Sequence, residues 1–344
     1  MYLGLEIGGT KLQLGVGDGR GSRLIASKRL SIAMGGGITG VLAKIESVGR
    51  PIAEKNRVTA IGIGFAGPVD TKLGRALASR QYGGWEDFPL SEWCVDTFGV
   101  PAVIANNSNA AGLAEARFGA GQGSRVVLYS NVGSGIGGAL VIEGQLHRHG
   151  GVVADIGQLR PGLQADRSDQ TVESLASGWA ITEAAQAILS DPISHSVKML
   201  ADVSRPVEPE SIRQRLIEHE DAEQELAAYL LARSGGIVGR LNTKMVADAA
   251  MSGNELAAEI FSRACRVLGW AIAQAITIVA PDVVVVGGGV SLAGEEIFLN
   301  PLREYVRQYA CPQLGGSYEL TDATLGQEAV LHGLLALAKD AERG

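Results

Sequence analysis

The sequence predicts an α/β protein of two lobes, and three observations lead to this prediction. At roughly 150 residues per domain, a chain of 344 residues is long enough for about two domains. The chain has 47 glycines, about 14% of its residues against a usual level of roughly 7%, and they lie among runs of Val, Ile and Leu. A strand, a glycine turn and a second strand are predicted near residue 8 and again near residue 135. This repetition indicates a duplicated unit that begins each lobe.

Composition and charge exclude several classes of protein. Apolar residues make up 46% of the chain and charged residues 19%, which is too apolar for a disordered chain. The formal net charge of −7 argues against a basic surface that could bind nucleic acid, so we expect no nucleic-acid partner. Cys94, Cys265 and Cys311 are too few and too far apart for a disulfide framework. Residues 267–280 form the longest apolar stretch, which is too short to span a bilayer, so we expect a cytoplasmic protein without a membrane partner.

The first part of the chain reads as alternating strands and helices. Strands are predicted at residues 2–7, 12–16, 60–65 and 103–105. Helices are predicted at residues 40–55 and 110–118. The second of these helices follows the polar run Asn106, Asn107, Ser108 and Asn109, whose side chains can cap its first turn.

The pattern then begins again. Strands are predicted at residues 125–131, 139–142 and 283–286, and helices at 256–280 and 328–341. Glycine turns are predicted at residues 133–138 and 287–289. We therefore expect a small lobe of residues 1–118 plus about 326–344, and a large lobe of residues 119–325.

Three glycine turns follow strands, at residues 8–9, 133–138 and 287–289. Glycine allows backbone N–H groups to approach a ligand closely, and successive N–H groups in such turns form sites for phosphate. A single turn of this kind could equally be a tight hairpin. Three together, each after an apolar strand, favour a nucleotide site.

Two familiar phosphate motifs do not fit these turns. Residues 133–138 match G-x-G-x-x-G, but a strand follows where a dinucleotide site needs a helix. Residues 9–11 lack the upstream glycine of a P-loop and also precede a strand. The phosphates would then lie against β-hairpin turns from two lobes. That arrangement is typical of the two-lobed actin-like ATPase fold, a ribonuclease H-like fold with duplicated lobes that each contain a hairpin.

Five segments form a further pattern in this order: residues 5–11 (LEIGGTK), 62–70 (GIGFAGPVD), 131–138 (NVGSGIGG), 171–178 (TVESLASG) and 285–291 (VVGGGVS). Over nearly the whole chain this pattern resembles the ROK family, a group of repressors and sugar kinases with the actin–hexokinase type of fold. Glu6 stands where the family usually has Asp, and Ala66 where proline is common. We expect no helix-turn-helix module before residue 1, and this expectation favours the kinase branch over the repressor branch.

The resemblance implies a kinase that transfers the γ-phosphate of ATP, with Mg²⁺, to a hydroxyl of a hexose or amino sugar. It places four residues beside the γ-phosphate: Gly8, Gly9, Thr10 and Lys11. It places five near the β-phosphate, namely Gly133, Ser134, Gly135, Gly137 and Gly138, and three near the adenosine, namely Gly287, Gly288 and Gly289. It places four side chains around the sugar: Asn106, Asp155, Gln158 and Glu173. It also suggests a homodimer or homotetramer.

The catalytic position departs from the family pattern. The family motif N-D-A-N carries the catalytic aspartate, and this chain has Asn107 in its place. An amide cannot accept the proton of the sugar hydroxyl near neutral pH, and general-base assistance contributes about 10² to 10⁴-fold. Asn107 would hold the reactive hydroxyl without deprotonating it, or Asp155 would act as the base from the sugar side. The sequence thus leaves two hypotheses open, a slow sugar kinase and a non-catalytic relative that binds a sugar or nucleotide as a sensor.

The zinc motif of the family is also missing. The family has G-E-x-G-H followed by a cysteine-rich knuckle, whereas this chain has ADIGQ at residues 154–158 and no cysteine between residues 95 and 264. Thiolate-rich zinc binding is therefore excluded there, and we expect no zinc. His147 and His149 lie nearby, where a surface or sugar-facing role is favoured over a metal site.

Overall fold

The fold was obtained as a computed structural model. It describes residues 1–9, 11–21, 23–32, 37–79, 83–147, 154–162, 169–190 and 226–343. Thr10 and His149, both named among the candidate residues, lie outside the described residues.

Twelve strands and nine helices are numbered here within the described residues. The strands are β1 Tyr2–Ile7, β2 Lys11–Gly17, β3 Ala26–Ser31, β4 Ala60–Phe65, β5 Val69–Asp70, β6 Arg75–Ala76, β7 Ala102–Asn106, β8 Val126–Val132, β9 Ile136–Ile142, β10 Gln145–Leu146, β11 Val283–Gly287 and β12 Glu319–Asp322. The helices are α1 Gly37–Lys55, α2 Leu90–Phe98, α3 Asn107–Phe118, α4 Val172–Ala176, α5 Gly178–Ser190, α6 Thr243–Met251, α7 Glu255–Val279, α8 Asn300–Tyr309 and α9 Ala329–Arg343. Residues 226–233 are also helical.

Two five-stranded sheets have the same topology. The first sheet has the order β3-β2-β1-β4-β7, and the second has the order β10-β9-β8-β11-β12. In each sheet the first three strands pair antiparallel and the last three pair parallel. The duplicated unit that the sequence predicts is therefore confirmed, and each copy begins with a hairpin, β1–β2 in the first sheet and β8–β9 in the second.

The observed strands differ from the predicted ones at a few places. Gly137 and Gly138 belong to strand β9, so the second glycine turn covers only residues 133–135. Both glycines pack closely, because a Cβ on Gly137 would collide with Oγ of Ser108 and a Cβ on Gly138 with the carbonyl oxygen of Ala154. Their place near the β-phosphate stays a prediction. The sequence analysis also missed β3, α2 and β12. Strand β3 is mostly exposed and carries three polar or charged residues in succession, so its pattern lacks the apolar alternation of a half-buried strand.

Each sheet is covered by helices on both faces. Apolar side chains of α1 and α2 pack with the first sheet, and those of α4 to α8 pack with one face of the second. Helix α9 contacts β1 and β4, whereas α3 contacts β8 and β9, and these two helices also pack against each other. Helices α3 and α9 thus form the layer between the two sheets. The predicted residue boundaries of the lobes stay a prediction.

Helix α7 is the 25-residue helix of the second sheet, and its ends have clear physical causes. Its N-terminus is capped by Asn254, whose side-chain oxygen accepts a 2.9 Å hydrogen bond from the Ala257 N–H. It ends at Ala280, which adopts the left-handed conformation just before Pro281. The sequence prediction of a helix over 256–280 agrees to within a residue. Neither α7 nor any other helix in the described ranges combines the length and hydropathy needed to cross a membrane.

Gly333 is the point where α9 crosses α3. A Cβ on Gly333 would collide with the carbonyl oxygen of Ala110, which is part of the α3 backbone. A side chain there would force the two helices apart, and since each helix packs on a different sheet, both sheets would have to shift.

We expect Gly333→Ala to lower the free energy of unfolding by about 1 to 3 kcal/mol, because overpacking against backbone has no cheap relief. Gly40→Ala is the matched control, since Gly40 also lies within a helix but has open space around its Cβ position. That control should gain about 0.5 to 1 kcal/mol from helix propensity. Thermal unfolding of the two variants tests this. Equal midpoints would contradict the assigned contact.

Candidate active site

The candidate residues gather at the carboxyl ends of the parallel strands. The hairpin turn after β1 and the ends of β4 and β7 lie at one edge of the first sheet. The turn after β8 and the ends of β11 and β12 lie at the same edge of the second. Ligands of open α/β sheets bind at the carboxyl ends of the strands, where loops rather than strand pairs present the backbone groups. Helix α3 begins at the end of β7 and packs against the second sheet, so its N-terminus connects the two edges.

The first hairpin places a buried carboxylate beside its glycine turn. The Gly8 N–H donates a 2.8 Å hydrogen bond to the Lys11 carbonyl and closes the turn. The Glu6 side chain is 3% exposed, and its Oε1 lies 2.8 Å from Nζ of Lys11. Its Oε2 accepts a 2.6 Å hydrogen bond from the side-chain amide of Gln13. Burying a carboxylate costs less free energy when a cation and an amide bind its two oxygens.

The second turn is held from behind by helices α4 and α5. The Gly133 N–H donates to the Gly135 carbonyl over 2.9 Å, and the Gly178 N–H donates to the Gly133 carbonyl over 2.8 Å. Oε2 of Glu173 accepts a 2.8 Å hydrogen bond from the Ile136 N–H. Glu173, which the resemblance assigns to the sugar, therefore lies against the second glycine turn.

In the third turn, Gly287 and Gly288 are packed against neighbouring residues, whereas Gly289 is exposed. Gly288 has φ +103° and lies against the backbone of Val132, so only glycine fits there. The Val290 N–H donates a 2.9 Å hydrogen bond to the Val132 carbonyl and fixes the turn to β8. Gly289 is exposed and has open space at its Cβ position, so its backbone is accessible to a ligand.

The polar run at the start of α3 bonds to both sheets. Asn106 is the N-cap residue, because its Oδ1 accepts a 2.8 Å hydrogen bond from the Ser108 N–H. Nδ2 of Asn107 donates to the carbonyl of Ile7 in the first sheet over 3.2 Å. Nδ2 of Asn109 donates to the carbonyl of Gly138 in the second sheet over 2.8 Å. This run therefore spans the space between the two hairpins.

The segment of residues 154–158 packs on β9. Ala154 has φ +57°, and its carbonyl lies over Gly138, while Gly157 packs against the Ile136 carbonyl. Asp155 is half-buried and Gln158 is exposed. Both belong to the short helical turn at residues 155–158 that packs on β9. The structure therefore brings these two predicted sugar residues to the hairpin that also carries the second glycine turn. His147, by contrast, is an exposed residue beyond β10.

Asp322 lies at the same sheet edge as the candidate residues, and the sequence analysis did not single it out. It ends β12 in register with Val286, one residue before the third glycine turn. Burial raises the pKa of the Asp322 carboxyl, and a hydrogen bond with Ser291 opposes this shift. The signal that could have found it is an acidic residue at the carboxyl end of a parallel strand. Because strand β12 itself was not predicted, the position of Asp322 at the end of a strand could not be recognised.

The described ranges contain no group of three or more His, Cys, Asp or Glu side chains arranged to hold a metal ion. The glycine turns and the amides and carboxylates around them instead suit a polyanion and a polyhydroxy ligand. Backbone N–H groups in turns bind phosphate, and convergent amide and carboxylate groups match hydroxyls.

This fold and this site define a two-lobed protein of the actin-like ATPase fold. The ROK family profile matches residues 2–341, so the chain belongs to the ROK family.

Three relatives with known names support a sugar kinase. A glucokinase from Streptomyces coelicolor is 28% identical over 349 aligned positions, which cover 99% of this chain and 98% of the relative. The solved structure of a ROK family glucokinase from Streptomyces griseus, in complex with glucose and AMPPNP, has a TM-score of 0.77 and 30% identity, covering 98% of this chain and 99% of that one. The ROK hexokinase from Thermus thermophilus has a TM-score of 0.74 and 27% identity, covering 100% of this chain and 99% of that one.

We expect purified, dialysed protein to contain well below one zinc ion per chain. The reason is that residues 95–264 contain no cysteine and that Gln158 replaces the histidine of the family motif. Elemental analysis measures this directly. One zinc per chain surviving dialysis would contradict the prediction and direct attention to His147 and His149.

Proposed function

We propose that the protein is a sugar kinase that transfers the γ-phosphate of ATP to a hydroxyl of a hexose or amino sugar. The observation that supports this most is the position of the polar run at the start of α3. Asn107 bonds to the last residue of β1, and Asn109 bonds to a residue of β9. Groups suited to sugar hydroxyls therefore lie between the two hairpins whose turns suit phosphates.

The proposed roles follow the three glycine turns. Gly8, Gly9, Thr10 and Lys11 would meet the γ-phosphate, the turn at residues 133–135 the β-phosphate, and Gly289 the adenosine side. Asn106, Asp155, Gln158 and Glu173 would surround the sugar. Asn107 would orient the reactive hydroxyl. In this proposal the protein works in the cytoplasm as a homodimer or homotetramer, with a small lobe of residues 1–118 plus about 326–344.

Mg²⁺ fits this site as a complex with ATP. Mg²⁺ usually keeps several waters and binds substrate phosphates with few protein ligands. The carboxylate of Glu6 is already engaged by Lys11 and Gln13, and the described residues offer no three-ligand cluster. Phosphate oxygens and water would therefore hold the ion, which neutralises the charge that develops on the transferred phosphoryl group.

A second candidate function is a non-catalytic protein that binds a sugar or a nucleotide as a sensor. The observation that favours it is Asn107 itself, because an amide in the place of the family's catalytic aspartate cannot accept a proton. Such a protein would keep the binding groups and lack turnover.

A coupled assay of ADP release over a panel of hexoses and amino sugars distinguishes the two functions. We expect sugar-dependent ADP release, with glucose as the first member of the panel because the relatives above are named glucokinases. Phosphosugar formation, measured alongside, separates transfer to sugar from hydrolysis of ATP. Binding of ATP and a sugar by calorimetry without turnover would contradict the kinase and support the sensor.

Asn107→Asp should raise turnover by up to about 10² to 10⁴-fold with little change in the KM for the sugar. The substitution adds a proton acceptor of the same shape, and general-base assistance acts on the transition state. The matched control is Asn254→Asp, because Asn254 also donates through Nδ2 to a backbone carbonyl, that of Leu226, but lies outside the site. Equal rates for Asn107→Asp and the unmodified protein would contradict a role for this position in proton transfer.

A further inference from the structure

Trp179 is an exposed aromatic residue beside the second glycine turn. It is 44% exposed, whereas Trp85 is buried and both Trp93 and Trp270 are half-buried. Its backbone N–H donates a 3.4 Å hydrogen bond to the Ser134 carbonyl, which fixes the residue to the turn. Single exposed apolar side chains are common at protein surfaces, so the meaning of this one depends on its position.

The two ends of the second turn are held by different residues. At the end that continues into β9, the Ile136 N–H donates a 2.8 Å hydrogen bond to Glu173. At the end that follows β8, the Gly178 N–H donates a 2.8 Å hydrogen bond to the Gly133 carbonyl. Strand β9 carries the segment with the predicted sugar residues, whereas β8 pairs with β11, which leads to the third turn. Trp179 follows Gly178 directly and therefore lies on the predicted adenosine side.

The face of α5 that carries Trp179 is directed toward the start of α6. Thr182 and Gln186 lie three and seven positions after Trp179, so the three side chains share one face of the helix. The Thr182 hydroxyl lies 2.9 Å from that of Thr243, and Nε2 of Gln186 donates a 3.3 Å hydrogen bond to the Leu241 carbonyl. Because helical side chains lean toward the N-terminus of their helix, the indole is directed into the space between the second turn and the start of α6.

The third turn belongs to the same neighbourhood. Helix α6 contacts both α5 and the short helical turn at residues 291–293, so Trp179 and the third turn lie on elements that share a neighbour. Leu292 in that helical turn is 73% exposed, and Gly289 just before it is exposed with open space at its Cβ position. A flat group with an apolar face and polar edges suits such surroundings, because its face stacks on an aromatic ring while backbone groups bond to its edges.

We propose that the purine base of ATP stacks on the indole of Trp179, and that this residue lets the chain distinguish a nucleoside triphosphate from an inorganic polyphosphate. The inference rests on the proposed kinase function and adds a specificity residue for the phosphoryl donor. The second turn offers the same backbone groups to both kinds of donor, since it meets phosphates alone. A nucleotide differs by its base, and the base gains the stack on Trp179.

The test compares the binding of two Mg²⁺ complexes, those of ADP and of inorganic tripolyphosphate, by calorimetry. Trp179→Ala should raise the Kd for ADP by about 5- to 150-fold, the range for the loss of one base stack, and leave the Kd for tripolyphosphate unchanged. Trp179→Phe keeps an aromatic face and should restore most of the affinity for ADP. Tyr309→Ala is the matched control, because Tyr309 is 41% exposed at the end of α8 that leads to the start of β12, away from the carboxyl ends of the strands.

Tryptophan fluorescence and steady-state kinetics give two further readouts. ADP should quench the emission of the unmodified chain, tripolyphosphate should not, and Trp179→Phe should lose the quench because the stacked indole is gone. Trp179→Ala should raise the KM for ATP and keep kcat, because the base is bound equally in the ground state and the transition state. The KM for the sugar should not change.

Three outcomes would overturn the inference and leave the kinase function intact. An unchanged Kd for ADP in Trp179→Ala would show that no base stacks there. An equal loss of affinity for ADP and tripolyphosphate would assign Trp179 to holding the second turn, and a raised KM for the sugar alone would place the indole on the sugar side. Conversely, selective loss of ADP affinity in Trp179→Ala, in a chain that transfers phosphate to no sugar, would support the stack and contradict the kinase. Failure of the unmodified chain to bind nucleotide would contradict both.

Discussion

Helices α3 and α9 lie back to back between the two sheets, and the backbone of α3 touches α9 where Gly333 has no side chain. Each helix is also packed on a different sheet, α9 on β1 and β4 and α3 on β8 and β9. This contact fixes the distance between the sheets. It also fixes the place of the α3 N-terminus, and with it the polar run that separates the two hairpins. The geometry of the site therefore depends on a packing contact that contains no site residue.

The candidate site contains several buried or half-buried polar side chains. Most of their hydrogen bonds and ion pairs are with other groups of the same site. Glu6 is engaged by Lys11 and Gln13, and Glu173 by the backbone of the second turn. Such groups are costly to bury unless they are paired, so a ligand that displaces one of these bonds must offer another bond in its place. A ligand that offers phosphate to Lys11 and hydroxyls to the amides makes that exchange possible.

The two sheets have the same topology, but the residues at their hairpin turns differ in chemistry. The turn after β1 is followed by a lysine, whereas the turn after β8 contains glycine and serine only. Both present backbone N–H groups, but only the first adds a cation. The carboxylates are also unequally placed, with Glu6 in the first hairpin and Glu173 behind the second. A transferred phosphoryl group would thus meet the charged hairpin, and the phosphates that remain with the nucleotide would meet the neutral one.

The sequence by itself determined the duplicated hairpins, the long helix α7 and the family, because these depend on local signals: apolar alternation, glycine turns, the Asn254 cap and the stop at Pro281. Through the resemblance it also predicts that Asn107 stands where the family has a catalytic aspartate, which is a matter of residue type alone. It did not determine strand β3, whose residues are mostly polar and exposed, or the place of Asp322 on an edge strand with little apolar pattern. Only the tertiary structure showed that Gly137 and Gly138 lie in strand β9 in close packing and that Glu173 accepts a hydrogen bond from the Ile136 N–H. It alone placed the Asn107 side chain against the carbonyl of Ile7 at the end of β1. These relations join residues 16 to 100 positions apart, and the distance between such residues is set by strand pairing and by the α3–α9 contact, neither of which a local pattern encodes.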